Sequence, residues 1–179
     1  MNGASKPSLL LHVCCGPCAT HSVQALQREH HVTLFFSNSN IAPPAEYEKR
    51  LAAARRVAES CGTPLVEDAG DHAAWLECVR GLEQEPEKGR RCERCFEFNL
   101  SRAARYAAEH GFDRFTTTLT ISPHKDAGQI FRIGAQLGPF LAVDLKKGGG
   151  FKRSADLSRD FGLYRQTYCG CEFSRKSGG

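Results

Sequence analysis

The stretch Leu9 to Cys18, LLLHVCCGPC, carries an unbroken apolar run directly into three cysteines. Leu9 to Val13 is short and apolar, which suits a strand buried on both faces of a parallel sheet. Gly16 and Pro17 break it, and Ala19, Val23 and Leu26 follow at helical spacing. The cysteines therefore fall in a strand-to-helix turn. In open α/β sheets such turns lie at the carboxyl edge, where ligands bind, and unpaired amides at the helix start favour thiolate at Cys18. A single cysteine is often a small core residue, but three at one turn point to metal or redox chemistry.

The same alternation continues. His31 to Ser37 reads as a second buried strand, and Pro44 as the first residue of a helix whose face is Tyr47, Leu51, Ala54, Ala58 and Cys61 and which ends at Gly62. Pro64 to Glu67 is a third strand. Trp75, Cys78, Val79 and Leu82 then recur at helical spacing, which makes Cys61 and Cys78 core residues. Leu82 to Arg91 is charged and holds Pro86 and Gly89, so a mobile surface loop is expected. Cys92-x-x-Cys95 opens a helix with the stripe Phe96, Leu100, Ala103, Ala104 and Ala107. Residues three apart there share a face. Asp113 to Leu119 is a fourth strand, followed by the turn ISPHKD and a helix through Ile130, Ile133, Gly134 and Leu137. Phe140 to Val143 is a fifth, ending at Asp144 before a flexible basic KKGGG.

This pattern predicts an α/β fold: a doubly wound, Rossmann-like, five-stranded parallel sheet in the order 3-2-1-4-5. The turns after strands one and four then face each other across a crevice. At 179 residues the chain suits one domain, 1–179, with its cysteine-rich tail, 161–179, folded back onto the carboxyl edge of the sheet. No long apolar run or signal-peptide core is visible, so a cytoplasmic protein without a membrane partner is expected. In that reducing compartment nine cysteines suggest metal or redox chemistry before structural disulfides. The net charge of +4 permits an anionic partner such as RNA without demonstrating one.

Setting aside Cys61 and Cys78 leaves Cys14, Cys15, Cys18, Cys92, Cys95, Cys169 and Cys171. Sulfur-only ligand sets are what iron–sulfur clusters and zinc use. Seven exceed one zinc site and fall short of two four-thiolate sites, so one four-thiolate cluster plus a further group of three accounts for them better. A zinc-binding structural module is disfavoured on that count. A thioredoxin-like role for Cys92 and Cys95 is disfavoured because the pair follows a charged loop instead of a strand. Neither GxxxxGK[ST] nor GxGxxG occurs, which disfavours ATP and with it an ATP-dependent tRNA sulfur-transfer enzyme of the same fold group.

LLLHVCCGPC, NIAPPAEYEKRLAAA, RRCERCFEFNLSRAA, FTTTLTISPHKD, VDLKKGGGFKRS and LYRQTYCGCEFS occur in order over nearly the whole chain. Together they resemble the QueH family, the cobalamin-independent epoxyqueuosine reductases, and YRQTYCGCEFS is the most specific piece. The resemblance implies an oxidoreductase on an adenine nucleotide alpha-hydrolase-like fold. Such an enzyme reduces epoxyqueuosine to queuosine at the tRNA wobble position, the last step of queuosine biosynthesis. It also implies a [4Fe-4S] cluster with an additional iron or redox-active cysteine group, neither cobalamin nor ATP, and a separate electron donor.

Carried onto this sequence, the family pattern makes Cys14, Cys15, Cys92 and Cys95 the cluster ligands. Cys169 and Cys171 form the second group, as a redox-active disulfide or as iron ligands, with Cys18 nearby. On that reading His124, Tyr164 and Tyr168 are candidate proton donors, and Asp144 is a candidate oxygen ligand to the iron. Lys146, Lys147, Lys152, Arg153, Arg159 and Arg165 are candidates to meet anticodon phosphates, with Gln166 on the same surface and Tyr164 stacking on a base.

Overall fold

The computed structural model describes residues 5–175. Four parallel strands, β1 (Ser8–His12), β2 (His31–Phe36), β3 (Leu65–Glu67) and β4 (Arg114–Thr117), form one sheet in the order β3-β2-β1-β4. β1 is bonded on both sides, with Leu10 opposite Thr33 on one strand and Phe115 on the other. Leu9, Leu10 and Leu11 are consequently inaccessible to water, as the apolar run requires.

Six helices follow in order: α1 (Gly16–Leu26), α2 (Pro44–Cys61), α3 (His72–Cys78), α4 (Arg90–Glu109), α5 (Ala127–Leu137) and α6 (Gly150–Asp160). Because strand side chains alternate, Leu9, Leu11, Leu34 and Phe36 pack with Val23, Leu51 and Val57 of α1 and α2. Leu10, Phe35 and Phe115 pack with Ala103 and Ala107 of α4 on the other face. The expected limits of α2 hold: Pro44 opens it, and Gly62, at φ 58°, closes it in the left-handed region. Gly16 lets α1 start against α2, since a Cβ there would lie 2.7 Å from the backbone of Ala53.

The expected fifth strand does not form. Phe140 makes one isolated bridge to Phe115. Pro139 has no N–H to extend a ladder, and the hydroxyls of Thr116 and Thr120 donate to the carbonyls of Leu141 and Val143 at 2.8 and 2.9 Å. Side chains thereby satisfy acceptors that a neighbouring strand would use. The fourth strand is also shorter than expected, because Thr118–Ile121 winds into a 3₁₀ turn.

α6 occupies a stretch in which no helix was legible. Its packing face is made of small residues, with Gly150, Ser154 and Ser158 all buried. Thr20 and Ser154 lie 3.2 Å apart, hydroxyl to hydroxyl, where α6 meets α1. The charged loop expected to be mobile is anchored by the buried Arg91, whose Nη1 donates to the carbonyls of Glu83 (2.8 Å) and Glu85.

The described tail is held by a buried ion pair. Arg50, 2% exposed, bonds Glu46 at 2.8 Å. It also donates to the carbonyls of Cys169 and Tyr168 at 2.9 and 3.0 Å, and Ala42 N–H donates to Gly170 at 3.0 Å. Expected tail residues 176–179 lie outside the described residues. No helix among the described residues is long and apolar enough to cross a membrane.

A second ion pair fixes α4 to the end of β3. Arg102 donates to both carboxylate oxygens of Asp68 at 2.7 Å, and Ser37 Oγ donates to Oδ2 at 2.6 Å. Burial pushes the Asp68 carboxyl up, but Arg102 and Ser37 hold it below its ordinary value. A depressed carboxyl contributes stability that is present above its unfolded value and lost as pH falls through its folded value. Arg102→Met is therefore expected to reduce unfolding free energy by roughly 1.5–3 kcal/mol near pH 7. The difference from wild type should shrink below about pH 4, as read from urea unfolding across pH.

Candidate metal centre

The turn after β1 is shaped by its own backbone. Val13 N–H still bonds Phe35 O, at 2.9 Å. Cys15 then leaves the strand as the N-cap of α1, its Sγ accepting from Cys18 N–H at 3.4 Å. This folds three sulfurs together, so that those of Cys14, Cys15 and Cys18 all lie within 4.8 Å of one another. Adjacent cysteines, which point apart in a strand, share one site here because Cys15 caps a helix. Thr118, in the 3₁₀ turn after β4, accepts from Cys14 N–H at 3.2 Å and donates to its Sγ at 3.4 Å.

The electrostatics of this triad follow from its crowding. Hydrogen bonds from Cys15 and Cys18 hold the Cys14 thiol well below the ordinary value, against the upward push of burial. Burial and the Cys14 neighbour push Cys15 up to about 12, and the bond to Cys14 raises Cys18. The fully buried His12 lies beneath, its ring nitrogens 2.8 Å from Thr117 Oγ1 and 2.9 Å from Ser37 O.

A second group of sulfurs faces the turn. α4 starts at Arg90, two residues earlier than expected, and presents Cys92 in its first turn and Cys95 in its second. They line one small cavity with Cys169 and Cys171 of the tail and with Asn40, Trp75, Arg91 and Phe96. Burial pushes the Cys92 and Cys95 thiols up, and nearby Cys169 adds to both. Lys125 Nζ lies 3.3 Å from Cys169 Sγ. Asn99 ties α4 to the loop after β2, donating to Asn40 Oδ1 at 3.0 Å and accepting from Ser39 N–H at 3.1 Å. All nine cysteines are free thiols in this structure.

The expected site residues divide by location. Gln166, expected on the substrate surface, donates to Cys15 Sγ of the triad at 3.0 Å. Asp144 pairs with Lys146 at 3.1 Å. Tyr164 donates to Glu46 at 2.7 Å and Tyr168 to Ala42 O. His124, Lys147, Lys152, Arg153, Arg159 and Arg165 are exposed. Cys61 and Cys78 are half-buried outside both sulfur groups. Sequence reasoning passed over His12, Trp75, Arg91 and Lys125. Their signal was position: His12 precedes the cysteine-bearing turn, Lys125 stands in the turn after β4 expected to face it, and Trp75 is the chain's one tryptophan.

These residues fit an iron–sulfur group. The donor set is all sulfur, which suits iron. A buried N–H group at the cavity, Arg91 Nε, has no hydrogen-bond partner among the described residues, and Trp75 Nε1 is turned to Cys95. An unmet donor beside a sulfur-lined cavity calls for an acceptor, and cluster sulfides are acceptors.

Residues 9–177 match the sequence profile of the family described as "Epoxyqueuosine reductase QueH". The chain belongs to the QueH family. A QueH relative from Streptococcus pyogenes serotype M1 is 37% identical over 189 residues, covering 97% of this chain and 72% of the relative. Another, from Thermotoga maritima, is 35% identical over 177 residues, covering 93% of this chain and 90% of the relative. Among solved structures, the U34-tRNA thiolase NcsA from Methanococcus maripaludis, with its [4Fe-4S] cluster, superposes with a TM-score of 0.60. Its identity is 12%, and the match covers 97% of this chain and 63% of that one, so the likeness speaks for the fold alone.

Proposed function

We propose that this chain reduces epoxyqueuosine in tRNA to queuosine, in the cytoplasm and with electrons from a separate donor. The observation that carries this reading is the gathering of seven cysteines from three distant segments into two groups, three at the turn after β1 and four around one cavity, in a QueH-family chain. The reaction consumes two electrons and two protons and releases water, and it needs neither ATP nor cobalamin. When bound, a [4Fe-4S] cluster with an adjacent iron supplies one-electron transfer and Lewis acidity.

Cys14, Cys15, Cys92 and Cys95 are assigned to the cluster. In support, Cys14 and Cys92 pack against the same apolar group around Phe96 and Leu119. Cys169 and Cys171, which line the cavity beside Cys92 and Cys95, form the second redox or iron-binding group, and Cys18 adds a third thiol beside Cys14 and Cys15. Gln166 orients Cys15. Tyr164 and Tyr168 brace the tail through their hydroxyl bonds. His124, exposed in the turn after β4, is left as the proton donor. Asp144, engaged by Lys146, is assigned to the turn instead of to iron.

The exposed Lys147, Lys152, Arg153 and Arg165 meet the phosphates of the anticodon stem-loop. The test is anaerobic incubation of the reconstituted protein with dithionite and tRNA carrying epoxyqueuosine, followed by nucleoside analysis. Conversion of the epoxide to the alkene is expected. Recovery of intact epoxide from tRNA bound by a fully reduced, iron-loaded protein would refute the reading.

A further inference from the structure

Of the three consecutive polar residues in the turn after β4, one points inward. His124 is exposed, and Asp126 caps α5, accepting from Gly128 and Gln129 N–H at 2.8 and 3.3 Å. Lys125 instead runs beneath the sulfur groups. Its Nζ lies 3.3 Å from Cys169 Sγ and 5.7 Å from the centre of the Phe96 ring. No carboxylate pairs with it among the described residues, since all eight ion pairs there use other cations.

Phe96 in turn belongs to the apolar group against which Cys14 and Cys92 pack, so the ammonium sits on the tail sulfur and close to the residues that hold the other cysteines. A half-buried cation without a carboxylate partner is stabilised by negative charge beside it. The group beside it that can carry such charge is Cys169, together with whatever the cysteines bind.

We infer that Lys125 is a positioning residue: a fixed positive charge between the two sulfur groups that raises the reduction potential of the metal centre they hold. The inference rests on the iron–sulfur reading above. Adding an electron makes such a centre more negative, and a nearby cation in a poorly screened site stabilises the reduced form more than the oxidised one.

The test compares Lys125→Met and Lys125→Arg with wild type after anaerobic reconstitution. Iron and sulfide are counted, and midpoint potentials are read by mediated dithionite titration. At the wild-type midpoint, the reduced-to-oxidised ratio of K125M should be at least tenfold lower, which is about 59 mV for a one-electron couple. K125R should stay within about threefold. An unchanged K125M midpoint at equal iron content would overturn the inference.

Melting of the metal-free proteins covers the case in which K125M loads no iron. If apo K125M melts no lower than wild type and K125R still loads, charge is what the centre requires and the inference stands. An apo K125M that melts lower would make Lys125 a packing residue and overturn it. Wild type that takes up no iron would remove the functional reading, and this inference with it.

Discussion

Cys92→Ser and Cys95→Ser are each expected to strip iron and acid-labile sulfide from the protein and to lower turnover by more than about 100-fold, beyond the usual effect of losing an outer-shell partner. Both side chains come from the first two turns of α4, and serine keeps the size of the cysteine it replaces. Cys169→Ser and Cys171→Ser are expected to keep the visible absorption and lose turnover by a similar factor. Their place on the tail lets them exchange electrons or bind a second iron without holding the cluster together. Iron analysis and steady-state turnover on the four variants separate these roles. Loss of iron from C169S and C171S in step with C92S and C95S would instead make the four thiols lining the common cavity the cluster's ligands.

The second large effect is structural. Arg50→Met removes the cation that pairs with the buried Glu46 and that holds two tail carbonyls. Breaking a buried pair from one side leaves an uncompensated charge, at about 3–5 kcal/mol. For a chain of this length that lowers the melting temperature by roughly 10 °C. Cys169 and Cys171 lose their anchor at the same time, so turnover should fall further than the fraction of unfolded protein explains. Arg50→Lys should not restore it, because one ammonium cannot make the forked set of bonds that the guanidinium makes. Thermal melting and turnover at a temperature where both variants are folded check the two parts. A melt unchanged from wild type would show that the tail is held by its own contacts.

Much of this architecture could be read from residue patterning because local and global signals agree. The apolar Leu9 to Val13 run, Pro44 and Gly62 at the ends of α2, and the cysteine pair opening α4 each state a local preference that the sheet preserves. The failures have a common cause. Phe140 to Val143 has strand composition, but threonine hydroxyls on the neighbouring segment take the carbonyls a ladder needs. α6 begins at consecutive glycines and buries Gly150, Ser154 and Ser158, so no apolar spacing marks the face that packs closely on α1.

The site follows the same division. Cysteine type and spacing announce sulfur chemistry, whereas which sulfurs meet depends on Cys15 leaving the strand to cap α1 and on where Arg50 holds the tail. Gln166 and Lys125 are ordinary polar letters until the fold places each at about 3 Å from a sulfur. No periodicity encodes such a contact, since it joins residues more than forty positions apart.

Iron and acid-labile sulfide per chain, measured on anaerobically prepared protein alongside its visible spectrum before and after dithionite, test the central claim most directly. The expected result is a broad absorption that dithionite bleaches, four sulfides per [4Fe-4S] cluster and iron somewhat in excess of sulfide. A colourless protein that binds zinc, and takes up neither iron nor sulfide on anaerobic reconstitution, would contradict it.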